Sequence, residues 1–146
     1  MTVKQYMTLF VLSLILILAA CGQGESSTPP LSESITCTAA YRAAVTGPLE
    51  AENTFTFSNE DREETLSFDA LTLRAVYRNG AFDGERNLLI QITASADDRL
   101  LQTQLYQLSL ESGPANQFVG GHGFTGLNYS YAPESGAELQ YWCVAE

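Results

Sequence analysis

His122 is the only histidine among 146 residues, and it stands in Gly120-Gly121-His122-Gly123-Phe124. An imidazole in a loop can ligate a metal or act as a general base. A catalytic zinc site takes about three protein ligands, usually with further histidines, and the chain has none to add. A nucleophile–base pair needs a serine or thiol presented to the ring, and no Gly-x-Ser-x-Gly context occurs. The other reading is a tight turn, permitted by the glycines, whose histidine hydrogen-bonds locally. Carboxylates gather in Asn59-Glu60-Asp61-Arg62-Glu63-Glu64 and in Asp97-Asp98. Calcium takes such oxygens, but the D-x-[DN]-x-[DN]-G order is missing, so the first run is expected to be a solvated hairpin tip. These patterns assign no catalytic residue, no metal site and no cofactor.

Aromatic side chains offer contact instead of catalysis. Tyr129, Tyr131, Tyr141 and Trp142 crowd the last strands. Tyr129 and Tyr131 alternate in phase with Leu127 and are expected in the core. Trp142 alternates with Tyr141 and Cys143 and is expected outside, where it joins His122 as a candidate binding residue. An exposed aromatic platform suits carbohydrate or a partner protein.

The amino-terminal segment has the three parts of a secretory leader: Lys4, the apolar run Phe10 to Leu18, and the small pair Ala19-Ala20. Cys21 follows at once. Leu18-Ala19-Ala20-Cys21 resembles the lipobox of bacterial lipoprotein precursors. The resemblance covers residues 1–21 and implies that Cys21 is alkylated with diacylglycerol, becomes the mature amino terminus and is acylated there. It implies a membrane partner reached through lipid, in the bacterial cell envelope facing away from the cytoplasm. Gly22, in place of an aspartate, permits sorting to an outer membrane where one exists. A leader cut after Ala20 that leaves a free thiol is the alternative. The apolar stretch Tyr6 to Ala20 falls short of the ~20 residues that span a bilayer.

After the leader, six arginines and no lysine face seventeen acidic residues, a net charge of −11. That balance excludes nucleic acid as a partner and electrostatic adhesion to anionic lipid. The segment 21–34 is small, polar and proline-bearing. It reads as a flexible tether, reaching about 20 Å end to end.

Residues 35–146 read as one β domain. Ile35, Cys37, Ala39 and Tyr41 alternate with polar neighbours, as do Phe55 and Phe57. Leu71, Leu73, Ala75 and Tyr77 continue after a phase slip at Asp69-Ala70, where a bulge or corner is expected. Asn79-Gly80 and Asp83-Gly84 supply positive-φ turn residues before Leu88, Ile90, Ile92 and Ala94. Leu100 to Leu110 favours a strand over a helix, and Thr125 to Tyr131 pairs with Leu139 to Cys143 across the turn Pro133 to Gly136. The pattern predicts an antiparallel β-sandwich of seven or eight strands, with a small closed barrel as the alternative.

Cys37 and Cys143 lie on the apolar sides of the first and last strands. In an exported chain they are expected to form a disulfide that holds those strands together; two buried thiols are the alternative. The expected function is a non-catalytic binding or envelope-structural module. A carrier of a small apolar ligand, with a cavity lined by Phe55, Phe57, Leu88, Ile90 or Tyr106, is the second reading. Cys21→Ser is expected to release the domain from the membrane fraction or to leave an unprocessed precursor. Normal processing with membrane retention would refute lipidation.

Overall fold

The computed structural model describes residues 34–58, 60–80, 85–109 and 113–146. The leader, Cys21, the tether up to residue 33 and Asp83-Gly84 lie outside them. Eight strands occur among the described residues: β1 (Ile35–Arg42), β2 (Ala51–Phe57), β3 (Arg62–Ser67), β4 (Leu71–Arg78), β5 (Asn87–Ala94), β6 (Leu100–Gln107), β7 (Asn128–Tyr131) and β8 (Glu138–Ala145). All neighbours pair antiparallel, in two four-stranded sheets ordered β2-β1-β8-β7 and β3-β4-β5-β6. This is a β-sandwich and not a closed barrel. The second sheet is an unbroken meander inserted between the two hairpins of the first.

Alternation explains the faces. β1 buries Ile35, Cys37, Ala39 and Tyr41, β4 buries Leu71, Leu73, Ala75 and Tyr77, and β5 buries Leu88, Ile90, Ile92 and Ala94. Side chains with period two cover one face of each sheet, and apolar burial at ~25 cal/mol per Å² drives the two faces together. Phe57 stacks on Tyr77 (centroids 5.6 Å apart) and Tyr41 on Phe68 (5.0 Å), so rings of both layers fill the middle. Their hydroxyls are satisfied: Tyr77 Oη accepts from buried Arg86 Nε at 2.8 Å, and Tyr41 Oη from Ala70 N at 3.3 Å. Tyr106 of β6 and Tyr141 of β8 join the sheets through their hydroxyls at 3.1 Å. Burial raises the Tyr141 phenol well above the usual tyrosine range, and the bond to Tyr106 adds to it, so it stays protonated.

Several local expectations change. The slip at Asp69-Ala70 is a hairpin turn, closed by Phe68 N to Leu71 O at 2.9 Å; the register shift that does occur lies at Ile92/Thr93 against β6. Segment 100–107 is a strand, as its Gln, Thr and Tyr content favours. Asn79 and Gly80 do not adopt positive φ; Gly80 is small because a Cβ there would lie 2.1 Å from Glu85 Cβ. Asp98 does turn the chain with φ 55°. The acidic run is no hairpin tip, since β2 and β3 belong to different sheets and Arg62, Glu63 and Glu64 lie within β3.

Cys37 and Cys143 sit directly opposite each other in the β1–β8 ladder and are joined by a disulfide, with Cα atoms 4.0 Å apart. Cys143 N and O both bond away from β1, to Thr125 and Phe124, so this is a non-hydrogen-bonded pair, the closely spaced kind. The bridge links residues 106 positions apart inside one sheet. Replacing both cysteines by alanine is expected to remove about 2–5 kcal/mol of stability, read as a lower denaturant midpoint. A double variant as stable as the parent would show that the bridge carries no weight.

Candidate functional site

The hairpin β7–β8 decides which aromatic residues face outward. Its turn is closed by Ala132 N to Ala137 O (2.8 Å) and Gly136 N to Ala132 O (2.9 Å). Tyr131 then lies opposite Glu138 and Tyr129 opposite Gln140, while Ser130 faces Leu139 and Asn128 faces Tyr141. Opposed residues share a face. Leu139, Tyr141 and Cys143 point into the core, so Tyr129 and Tyr131 stand outside with Trp142, 46% and 49% exposed. This corrects their expected place in the core. Leu127 precedes the strand and is itself only half-buried, outside the core cluster, so it does not mark the inward face. The inward positions go to polar side chains because β7 is an edge, where Ser130 Oγ hydrogen-bonds the Gln102 side chain of β6.

The loop before β7 brings the two candidate binding residues together. Gly123 bridges to Cys143, Phe124 N donates to Cys143 O at 3.0 Å, and Cys143 N donates to Thr125 Oγ1 at 2.8 Å. A Cβ on Gly123 would sit 1.9 Å from Cys143 O, and φ there is +62°, so only glycine fits. With the loop pinned to β8, the His122 ring meets Trp142 edge to face, centroids 5.7 Å apart and planes at 77°. His122 Nδ1 donates to Val119 O at 3.1 Å, the local hydrogen bond that the turn reading anticipates. Beyond the loop, the Asn116 side-chain amide donates to Ala145 O (2.7 Å) and accepts from Ala145 N (2.9 Å), acting as one more rung of the ladder.

Polar groups frame these rings. Glu138 is only 4% exposed and accepts from Gln140 Nε2 at 2.6 Å. Partial desolvation and a hydrogen bond with Glu138 hold the Tyr131 phenol above its ordinary range. On β1 and β2, Thr36 pairs with Thr56 (3.0 Å) and Thr38 with Thr54 (3.3 Å), and Trp142 lies opposite Thr38. The result is an aromatic strip of Trp142, His122, Tyr129 and Tyr131 bordered by amides and hydroxyls on one sheet face.

No family model, curated protein or solved structure matches this chain. Its chemistry therefore rests on its own geometry. The carboxylates of the acidic run meet arginines: Glu63 takes Arg74 Nε and Nη2 at 2.6 and 2.7 Å, Asp61 meets Arg78, and Glu64 meets Arg62. The Arg74 hydrogen bond holds the Glu63 carboxyl below its usual range. Among the described residues, no group of three or more His, Cys, Asp or Glu is placed to hold a metal ion.

Trp142 is the only tryptophan, so its emission reports on the strip. His122→Ala is expected to shift that emission to the red by hydrating the indole, at a stability cost below about 1.5 kcal/mol. Gly123→Ala, which drives a methyl into Cys143 O, is expected to cost more than His122→Ala in a denaturant titration. The reverse ranking would mean that the loop is not held on β8.

Proposed function

We propose that the chain is an exported, lipid-anchored binding module without catalytic activity, which presents the outer face of β2-β1-β8-β7 to carbohydrate. The observation that carries this reading is the pair of half-exposed tyrosines, Tyr129 and Tyr131, set beside Trp142 and His122 on one sheet. Large rings on the solvent side lose the burial energy that the core would give them, and a contiguous exposed apolar patch marks an interaction surface. A sugar ring has an apolar C–H face and a rim of hydroxyls. Aromatic faces match the first; Gln140, Thr38 and Thr54 match the second. The charge of −11 after the leader favours a neutral glycan over a polyanion. The lipobox-like Leu18-Ala19-Ala20-Cys21 supports attachment to the membrane by lipid in the bacterial envelope, with the tether as a spacer.

The carrier reading is less favoured by the same geometry. Phe57, Leu88 and Ile90 are at most 1% exposed within one core cluster, and Phe55 packs edge-on against Phe57. Tyr106 does border an open cleft of about 450 Å³ with Phe124 and Pro114 at the end of β6, and the carrier reading rests on that cleft.

The test uses the full-length lipoprotein and insoluble, uncharged cell-wall polysaccharide in a co-sedimentation assay. Tyr129→Ser combined with Tyr131→Ser is expected to weaken binding at least about tenfold while the melting temperature holds, in line with aromatic anchors at hot spots. Failure of the parent protein to sediment with neutral glycan would remove carbohydrate as the ligand. Parent-like binding by the double variant would place the contact off the strip.

A further inference from the structure

The four sheet edges are β2 and β7 in one layer and β3 and β6 in the other. An edge offers unpaired N–H and C=O groups to any other strand, and proteins blunt it with charge, proline or shortness. β3 carries Arg62, Glu63 and Glu64, β2 carries Glu52, and β7 is four residues long. β6 has none of these three devices; its one irregularity is the register shift at Ile92/Thr93. Its eight residues contain no charge and no proline, and uncharged sequence continues to Leu110.

Register settles what this edge presents. Leu108 N donates to Arg86 O at 2.9 Å on the side of β5, and bonding direction alternates along an antiparallel strand. The backbone groups of Thr103 and Leu105 therefore point to the open side. Thr103 and Leu105 lie opposite Gln91 and Leu89, on the outer face of the sheet, and the shift at Ile92/Thr93 returns Leu100 to that same face opposite Thr93. Leu100 and Leu105 are 54% and 56% exposed.

We propose that β6 is a self-association edge, on which a second copy of this chain pairs antiparallel about a two-fold axis at Thr103. In that register Thr103 meets Thr103 of the second copy, Gln102 meets Gln104, and Leu100 meets Leu105 once the register shift is counted. Every pair is of like character, Thr with Thr, amide with amide and leucine with leucine, and such cross-strand pairs are favourable while no like charges are opposed. The two exposed leucines of each copy cover those of the other. A two-fold axis makes one patch complementary to itself and closes the assembly at two copies, because each β6 then has both neighbours. The two meanders become one continuous sheet, and the aromatic strip stays free on the other layer. The proposal is independent of the carbohydrate reading.

Thr103→Cys in the full-length chain, oxidised mildly in native membranes, tests it. Hydrogen-bonded antiparallel partners have Cα atoms ~5.5 Å apart, within reach of a disulfide. The expected result is a reductant-sensitive dimer of twice the chain mass in Thr103→Cys. It should be absent from Thr93→Cys, which sits on the same face one strand inward. Adding Leu105→Lys, which sets an ammonium against Leu100 of the second copy, should cut the crosslinked yield about tenfold, as expected for a buried unpaired charge. The Cys37–Cys143 bond, mapped by mass spectrometry, confirms that each variant is folded. A folded Thr103→Cys chain that stays monomeric, crosslinks no faster than Thr93→Cys, or joins a species of another mass overturns the proposal.

Discussion

The pairing of β1 with β8 is the contact on which the first sheet depends. Its ladder runs from Ile35 opposite Ala145 to Arg42 opposite Glu138 and joins two hairpins that are otherwise far apart in sequence. Without it the β2-β1-β8-β7 layer separates into β1–β2 and β7–β8, and an isolated hairpin is marginal in water. The disulfide lies inside this joint. β8 also carries the loop 123–125 and the Asn116 amide on the side that β7 leaves uncovered, so its polar backbone is satisfied almost to its end.

One strand thus serves two surfaces with alternate residues. Leu139, Tyr141 and Cys143 face the meander, and Gln140 and Trp142 face solvent. Fixing the inner set fixes the outer set, because side-chain direction has period two. The ring of His122 is placed by backbone bonds to the same strand. On the binding reading proposed above, a surface built on a strand and a pinned loop would lose little conformational freedom on contact.

Most of the fold was legible because its central strands obey strict alternation. β1, β4 and β5 bury the residues that the pattern nominates, and Cys37 and Cys143 meet as their positions on apolar faces suggested. What failed was phase near edges and turns. The apolar run Leu66, Phe68, Leu71 hides a reversal, because Phe68 packs on the core from the turn itself. Tyr129 and Tyr131 alternate with Leu127, but Leu127 is itself only half-buried outside the core cluster and is no guide to the inward face. The correct signal was present in the turn Pro133 to Gly136: with Ala132 opposite Ala137, Tyr131 must share the face of Glu138 and not of Leu139. The meeting of His122 with Trp142 had no local signal, since it depends on a glycine bridge to a strand twenty residues onward. Cys21 lies outside the described residues, and its proposed lipidation stands on the resemblance of Leu18-Ala19-Ala20-Cys21 to a lipobox.

The order in which the strands leave the ribosome has its own consequence. The meander β3 to β6 needs only neighbours in sequence and can form early, whereas β1 waits for β8, which follows the whole meander in sequence. Contacts of long sequence separation form late because the intervening chain must first be closed. A nascent chain of this topology therefore cannot complete its sandwich before β8 has emerged behind the meander. Such delay is a form of timing written into strand order: the meander can close on local contacts, while the layer that covers it waits for two strands whose bridged residues stand 106 positions apart.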